Sequence, residues 1–182
     1  VRSRGLGDVY KRQAQDYSVS AVGKVSDLFA GRGITRSTTT VNNADGMSKT
    51  LTELNALDKG LLLVNLIDFD MAYGHRNDAV GFGRAIEEFD TWLPRLYEQM
   101  HSDDILVISA DHGCDPTTPG TDHTREYVPV LVWSKSMQEG AALGDRQSFA
   151  DLGATLAAYF GVPLLAGESF LDALDLRGRF SF

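Results

Sequence analysis

Leu61–His75 reads LLLVNLIDFDMAYGH. Its first seven residues form an apolar run broken only by Asn65, preceded by Gly60 and followed by a charged cluster. That pattern predicts a strand buried on both faces, with Asp68 and Asp70 delivered at its carboxyl end. Ile105–Gly113, ILVISADHG, repeats the arrangement: a second buried strand over Ile105–Ser109, then Asp111 and His112. In open parallel sheets, binding sites form outside the carboxyl ends of strands. Two strands that each run into polar ligand-type side chains therefore point to an α/β protein with its site at that end of the sheet.

The flanking sequence alternates strand-like and helix-like stretches in keeping with an α/β layer protein. Val19–Val25 and the threonine-rich Ser37–Val41 predict short strands, separated by the turn residues Gly31-Arg32-Gly33. Met47, Leu51, Leu54 and Leu57 recur at helical spacing, with Asn43 or Asp45 as the cap. Ile86, Phe89, Leu93, Leu96 and Met100 mark one face of a long helix that Pro94 should kink or divide. Val128–Trp133 predicts a further strand. Ser148 with Asp151 resembles a capping box for a helix over Phe149–Tyr159, ended by Gly161 and Pro163.

The 182 residues are 43% hydrophobic and 23% charged, enough for one core and one domain. A net charge of -8 argues against nucleic acid or an anionic membrane as the main partner. Bound metal ions, often the largest charges in a site, are compatible with this acidic composition, which permits them without demonstrating one. Cys114 is the single cysteine, so no intramolecular disulfide forms, and a reducing, cytoplasmic location is expected. No apolar run reaches the ~18 residues of a membrane span and no signal-peptide core opens the chain, so a soluble protein is expected. Residues 1–13, VRSRGLGDVYKRQ, carry +3 and leave -11 for the remainder. The string resembles translated sequencing-adapter read-through and is read as a non-native leader; the alternative is a natural basic arm.

Three of the four histidines stand beside aspartates: His75 follows Asp70, His112 follows Asp111, and His123 follows Asp122. Carboxylate oxygen and imidazole nitrogen together suit a first-row divalent metal. Singly, each aspartate could cap a turn and each histidine could be an ordinary loop residue. Capping does not require a histidine beside the acid in all three places. Alternation along Asp68-Phe69-Asp70 sends both acids to one side, so either could ligate. His101, at the end of the long helix, reads as a surface residue facing the helix dipole. Cys114 reads as a small buried thiol rather than a ligand or nucleophile.

The strings NLIDFDMAYGHRND (65–78) and ISADHGCDPTTPGTDHTREYVPVLVWS (108–134) resemble the two C-terminal metal motifs of bacterial phosphopentomutases, members of the alkaline phosphatase superfamily. GKVSDLFAGRGIT (23–35) is similar to the segment upstream of them, and the likeness extends over residues 18–174. It implies an alkaline-phosphatase-like core, mostly parallel sheet with helices on both faces. That core would be incomplete, without its N-terminal part and cap domain, so that residues 14–182 are the C-terminal part of the core domain. It further implies two divalent metal ions, usually Mn2+. Asp70, His75 and His123 would be ligands of one, and Asp111 and His112 ligands of the other.

The family completes its second metal with an aspartate, and transfers the phosphoryl group through a threonine, both upstream of anything matched here. The resemblance therefore implies no catalytic nucleophile in this chain, a missing N-terminal part as its partner, and little or no activity alone. The implied reaction interconverts the 1-phosphate and 5-phosphate of ribose or deoxyribose, with a sugar bisphosphate as activator and intermediate. Lys24, in the upstream segment, would contact a substrate phosphate; otherwise it is a solvated lysine at a strand edge. Arg76 and Arg125 would orient the ligands or pair with nearby acids. The competing readings are another superfamily member, such as a metal-dependent phosphatase or cofactor-independent phosphoglycerate mutase, and a metal-binding module without catalysis.

Overall fold

The computed structural model describes residues 17–163, 166–174 and 176, so the stretch 1–13 read as a leader lies outside the described residues. The chain divides into two compact units, one built from Ser18–Met100 with Ile108–Leu131, the other including His101–Val107 and the residues from Val132 onward.

In the first unit, β1 (Ser18–Val22) is the middle strand of a three-stranded sheet, parallel to β2 (Arg36–Thr38) on one side and to β3 (Gly60–Val64) on the other. Its Val19, Ala21 and Val22 are 2% exposed or less, and each such valine contributes about 1.5–3 kcal/mol by leaving water. Gly23, at φ 88°, ends the strand where a Cβ would strike the backbone carbonyl of Asn65. A short helix, α1 (Val25–Leu28), and a turn through Gly31 and Gly33 lead back to Thr35. The Thr35 hydroxyl accepts from the Val19 N–H and donates to the Val19 carbonyl, both at 2.8 Å.

Helix α2 (Asn43–Ala56) is capped by Asn42, whose side chain accepts from the Asp45 N–H at 2.8 Å. Neither residue expected to cap does so. Asn43 is turned toward Asp68, and Asp45 accepts from the Val41 N–H and pairs with Lys49 at i,i+4. Behind α2, buried Glu53 accepts from Thr38 at 2.9 Å and from Arg36 at 3.3 Å, tying the helix to β2.

Helix α3 (Ala79–Gln99) starts at Asp78, which accepts from the Gly81 N–H, and continues undivided through Pro94. Proline removes one helical hydrogen bond. Trp92 before it and Leu96 after it are both buried, so packing on the two sides holds the helix together. The buried face is Ala85, Trp92, Leu96 and Met100, and Ile86 is half exposed, so the inward stripe lies to one side of the expected one.

Strand β3 ends at Val64, short of Ile67, because β1 ends at Val22 and the Asn65 N–H makes the last bond, to the Val22 carbonyl. Together with β4 (Leu106–Ser109), it is half-buried rather than buried on both faces. α2 packs on β3, and among the described residues the cover is partial. β5 (Val130–Trp133) pairs with β4 in a separate two-stranded sheet.

The second unit centres on α4 (Ala150–Tyr159), with Ala154, Ala157, Phe160, Val162, Phe170 and Leu174 buried. The expected capping box does not form. The Ser148 hydroxyl accepts from the Ala150 N–H, and the Asp151 carboxylate is occupied by Arg146 at 2.9 Å and the Glu168 N–H at 2.9 Å. Gly161, at φ 63°, ends the helix. Among the described residues no helix is long and apolar enough to cross a membrane.

Candidate metal centre

Because β1 and β3 are parallel, the chain leaves both at the same end of the sheet. Beyond β3 it does not continue extended. Asp68 adopts a helical backbone (φ -72°, ψ -28°) and opens a π-helical turn over Phe69–Tyr73, followed by a 3-10 turn over Gly74–Arg76. Strand alternation therefore does not govern Asp68 and Asp70. Asp68 is turned to α2, where its carboxylate accepts from the Asn43 N–H at 2.7 Å and its own N–H donates to Asn43 Oδ1 at 2.9 Å.

Asp70 meets a different set of partners. Its Oδ1 lies 3.2 Å from His75 Nε2 and 3.3 Å from His123 Nε2, and the three donor atoms all lie within 4.8 Å of one another. The His75 and His123 rings stack at 4.8 Å, and His123 stacks on His112 at 3.7 Å.

His75 Nδ1 is bonded to the Thr121 carbonyl. A carbonyl only accepts, so the proton of a neutral ring sits on Nδ1 and Nε2 presents a lone pair. That lone pair meets a carboxylate oxygen that a second imidazole also approaches. Acceptors this close repel unless positive charge lies among them, as a ring proton or as a cation. One oxygen and two nitrogens with a fixed tautomer are a donor set suited to a divalent first-row metal, and the bond from Nδ1 to a carbonyl is the usual outer support of a ligating histidine. The residues fit a divalent metal ion.

Asp111 and His112 form the adjacent pair. His112 Nε2 lies 3.7 Å from Asp111 Oδ1, and Nδ1 is 3.0 Å from the Gly113 carbonyl. The Asp111 side chain is 71% exposed. Among the described residues no third acid, cysteine or histidine joins these two in a cluster. Their link to the first set is the stack of His112 on His123.

The loop joining His112 to His123 is internally bonded. Asp115 accepts from the Thr117 N–H and hydroxyl and from the Thr118 hydroxyl, and those donors hold its carboxyl below the usual range. The Asp115 N–H donates to Thr124 Oγ1, whose hydroxyl donates to Glu126 at 2.6 Å, and the Thr124 N–H donates to the Gly113 carbonyl at 3.1 Å.

Of the other expected residues, Lys24 stands just past the end of β1 with Nζ 2.7 Å from Met71 Sδ, one residue beyond Asp70. Cys114 is half-buried rather than buried, and its thiol donates to Asp70 Oδ1 at 3.5 Å. Desolvation, then the bond to Asp70, push its pKa up, which keeps it a thiol. Arg76 and Arg125 are exposed and make no ion pair among the described residues, so neither supports a ligand in this arrangement. His101 is exposed, and its N–H donates to Asp104.

Sequence reasoning passed over Gly74 and Asn77 here, and read Asn43 only as a helix cap. Asn43 holds Asp68 away from the cluster. Gly74 is buried where a Cβ would run into Cys114 Sγ and crowd the Phe69 carbonyl. Asn77 sits in the left-handed region at φ 51°, directly after the turn that carries His75. The one signal for it was the asparagine itself, a residue type enriched among non-glycine residues in that conformation.

The Metalloenzyme superfamily model matches residues 11–164. The phosphopentomutase of Syntrophotalea carbinolica is 55% identical over 157 residues, covering 86% of this chain and 40% of the relative. The phosphopentomutase of Caldanaerobacter subterraneus subsp. tengcongensis is 54% identical over 162 residues, covering 88% and 41%. That of Carboxydothermus hydrogenoformans is 53% identical over 156 residues, covering 86% and 40%. The chain thus spans about 40% of the length of the curated relatives it matches. Among solved structures, the PH0037 protein of Pyrococcus horikoshii superposes with a TM-score of 0.53 at 17% identity, over 70% of this chain and 35% of that one, a likeness of fold.

Proposed function

This chain belongs to the Metalloenzyme superfamily, and on that premise we propose that it carries the metal-binding part of a phosphopentomutase, which interconverts ribose or deoxyribose 1-phosphate and 5-phosphate. The observation that carries the reading is the convergence of Asp70, His75 and His123 within 4.8 Å in a chain whose relatives bear that name at 53–55% identity.

Asp70 Oδ1, His75 Nε2 and His123 Nε2 would hold one divalent ion, and Asp111 with His112 would contribute to a second, with Mn2+ as the metal. Two such ions, when bound, stabilise the charge on the attacking and leaving oxygens of an in-line phosphoryl displacement. The chain's residues supply position. His75 keeps its Nδ1 proton on Thr121 and its Nε2 lone pair inward. Lys24, at the same end of the sheet, offers an ammonium to a substrate phosphate. We assign no nucleophile within these residues; the phosphoryl-carrying threonine and a sugar bisphosphate activator belong to the whole enzyme, in the cytoplasm.

A chimera tests this. Residues 18–174 would replace the matching segment of the Syntrophotalea carbinolica phosphopentomutase, and ribose 5-phosphate would be assayed with Mn2+. Interconversion with ribose 1-phosphate is expected, and none from the 182-residue chain alone. A folded, Mn2+-loaded chimera that only hydrolyses the ester would replace the reading with a metal-dependent phosphatase.

A further inference from the structure

We propose that Asn77 is the positioning residue of the cation cluster, setting the spacing of His75 and His123 from outside it. The inference rests on the reading of Asp70, His75 and His123 as a metal site.

Two properties of Asn77 converge. Its backbone, at φ 51° and ψ 31°, ends the Gly74–Arg76 turn, and its N–H donates to the Gly74 carbonyl at 3.1 Å, closing the turn that presents His75. Asparagine tolerates this left-handed conformation where most side chains do not. From that point its Nδ2 donates to the carbonyls of Gly120 at 2.8 Å, Thr118 at 3.0 Å and Pro116 at 3.4 Å. A primary amide has two N–H groups, so the first two bonds are well made and the third is shared.

The residues just past Gly120 give these contacts their meaning. Thr121 offers the carbonyl that holds His75 Nδ1, and two residues further His123 brings Nε2 to 3.3 Å from Asp70. One amide therefore ties the loop that carries both the support of His75 and the second imidazole to the turn that carries the first. The bonds from Thr117 and Thr118 to Asp115 are internal to the loop and do not make this link. Glycine at position 77 would supply the backbone without the amide. Aspartate would keep the shape and place a carboxylate against three carbonyl oxygens.

The test uses the 182-residue chain, labelled with 15N-histidine, beside Asn77→Asp and Asn77→Gly. Glycine is at ease at this φ, so Asn77→Gly keeps the comparison valid if the aspartate variant fails to fold. Mn2+ affinity is measured by calorimetry, and the His75 ring nitrogens by NMR of the metal-free chains. Removing an outer support of a ligand typically costs 10–100-fold in metal affinity. Weakening of about 10-fold or more is expected, together with loss of the protonated Nδ1 signature of His75. Affinity within about twofold of the parent, or weakened affinity with an unmoved His75 signature, overturns the role of Asn77. A parent chain that binds no Mn2+ overturns the cation site and this inference with it, whereas parent binding with unchanged variants overturns only the inference.

Discussion

Asn43 and Asp68 hold each other by two reciprocal bonds: the Asn43 N–H donates to the Asp68 carboxylate at 2.7 Å, and the Asp68 N–H donates to Asn43 Oδ1 at 2.9 Å. The pair pins the exit of β3 to the first turn of α2, and the acid nearest the strand is thereby used for structure. Asp70, two residues on, is the acid left for the cluster.

Asp68→Asn keeps an acceptor for the Asn43 N–H and should leave Mn2+ affinity near that of the parent. Asn43→Ala strands the Asp68 N–H in a part-buried place and should cost about 1–3 kcal/mol in urea unfolding. Loss of Mn2+ binding in Asp68→Asn would make Asp68 a ligand and overturn this division of labour.

Asp70→Ala, His75→Ala and His123→Ala each remove one of three donors. Calorimetry should register a fall in Mn2+ affinity of more than about 100-fold for each, beyond the range for outer supports. Equal binding by the parent and Asp70→Ala would place the metal elsewhere.

Gly74→Ala puts a methyl against Cys114 Sγ, without backbone strain because φ is -59°. Overpacking of this kind costs about 1–3 kcal/mol. Removing the sulfur with Cys114→Ala should return part of that loss in the double variant. Additive losses in a double-mutant cycle would show that the two residues do not meet.

The donors around Asp115 favour its charged form, so its folded pKa lies below its unfolded value near 3.8. Its contribution to loop stability is then fully present above that unfolded value and disappears as pH falls through the lower, folded one. An NMR titration of the Asp115 carboxyl should show a midpoint under that of an exposed aspartate, moving up in Thr117→Ala. A midpoint at the ordinary value would remove this account of the loop.

What could be read from sequence tracked the range of the signals. Leu61–Ile67 and Ile105–Ser109 announce strands because apolar runs of that length have few other uses, and strands form over Gly60–Val64 and Leu106–Ser109 within or beside them; His75, Asp111, His112 and His123 stand out by residue type. The choice between Asp68 and Asp70 was not legible, since alternation holds only while the backbone stays extended and here it coils at Asp68. Asn42 rather than Asn43 caps α2 because the pairing with Asp68, 25 residues away, claims Asn43. Ser148 and Asp151 have capping-box spacing, yet Arg146 and the Glu168 N–H occupy the carboxylate. Asn77 is marked only by its residue type, and its partners lie about forty residues downstream. Local pattern locates elements and donors, whereas long-range competition for polar partners decides which donors meet.

The parallel register of β1 with β3 sets Ser18 against Gly60. During synthesis from the N-terminus, the central strand leaves the ribosome before either neighbour exists. At ~5–20 residues per second, roughly 2–8 s pass before its second edge is covered. For that interval Val19, Ala21 and Val22 are a sticky nascent segment, and a chaperone that shields them should raise the yield of native chain more than one acting after release.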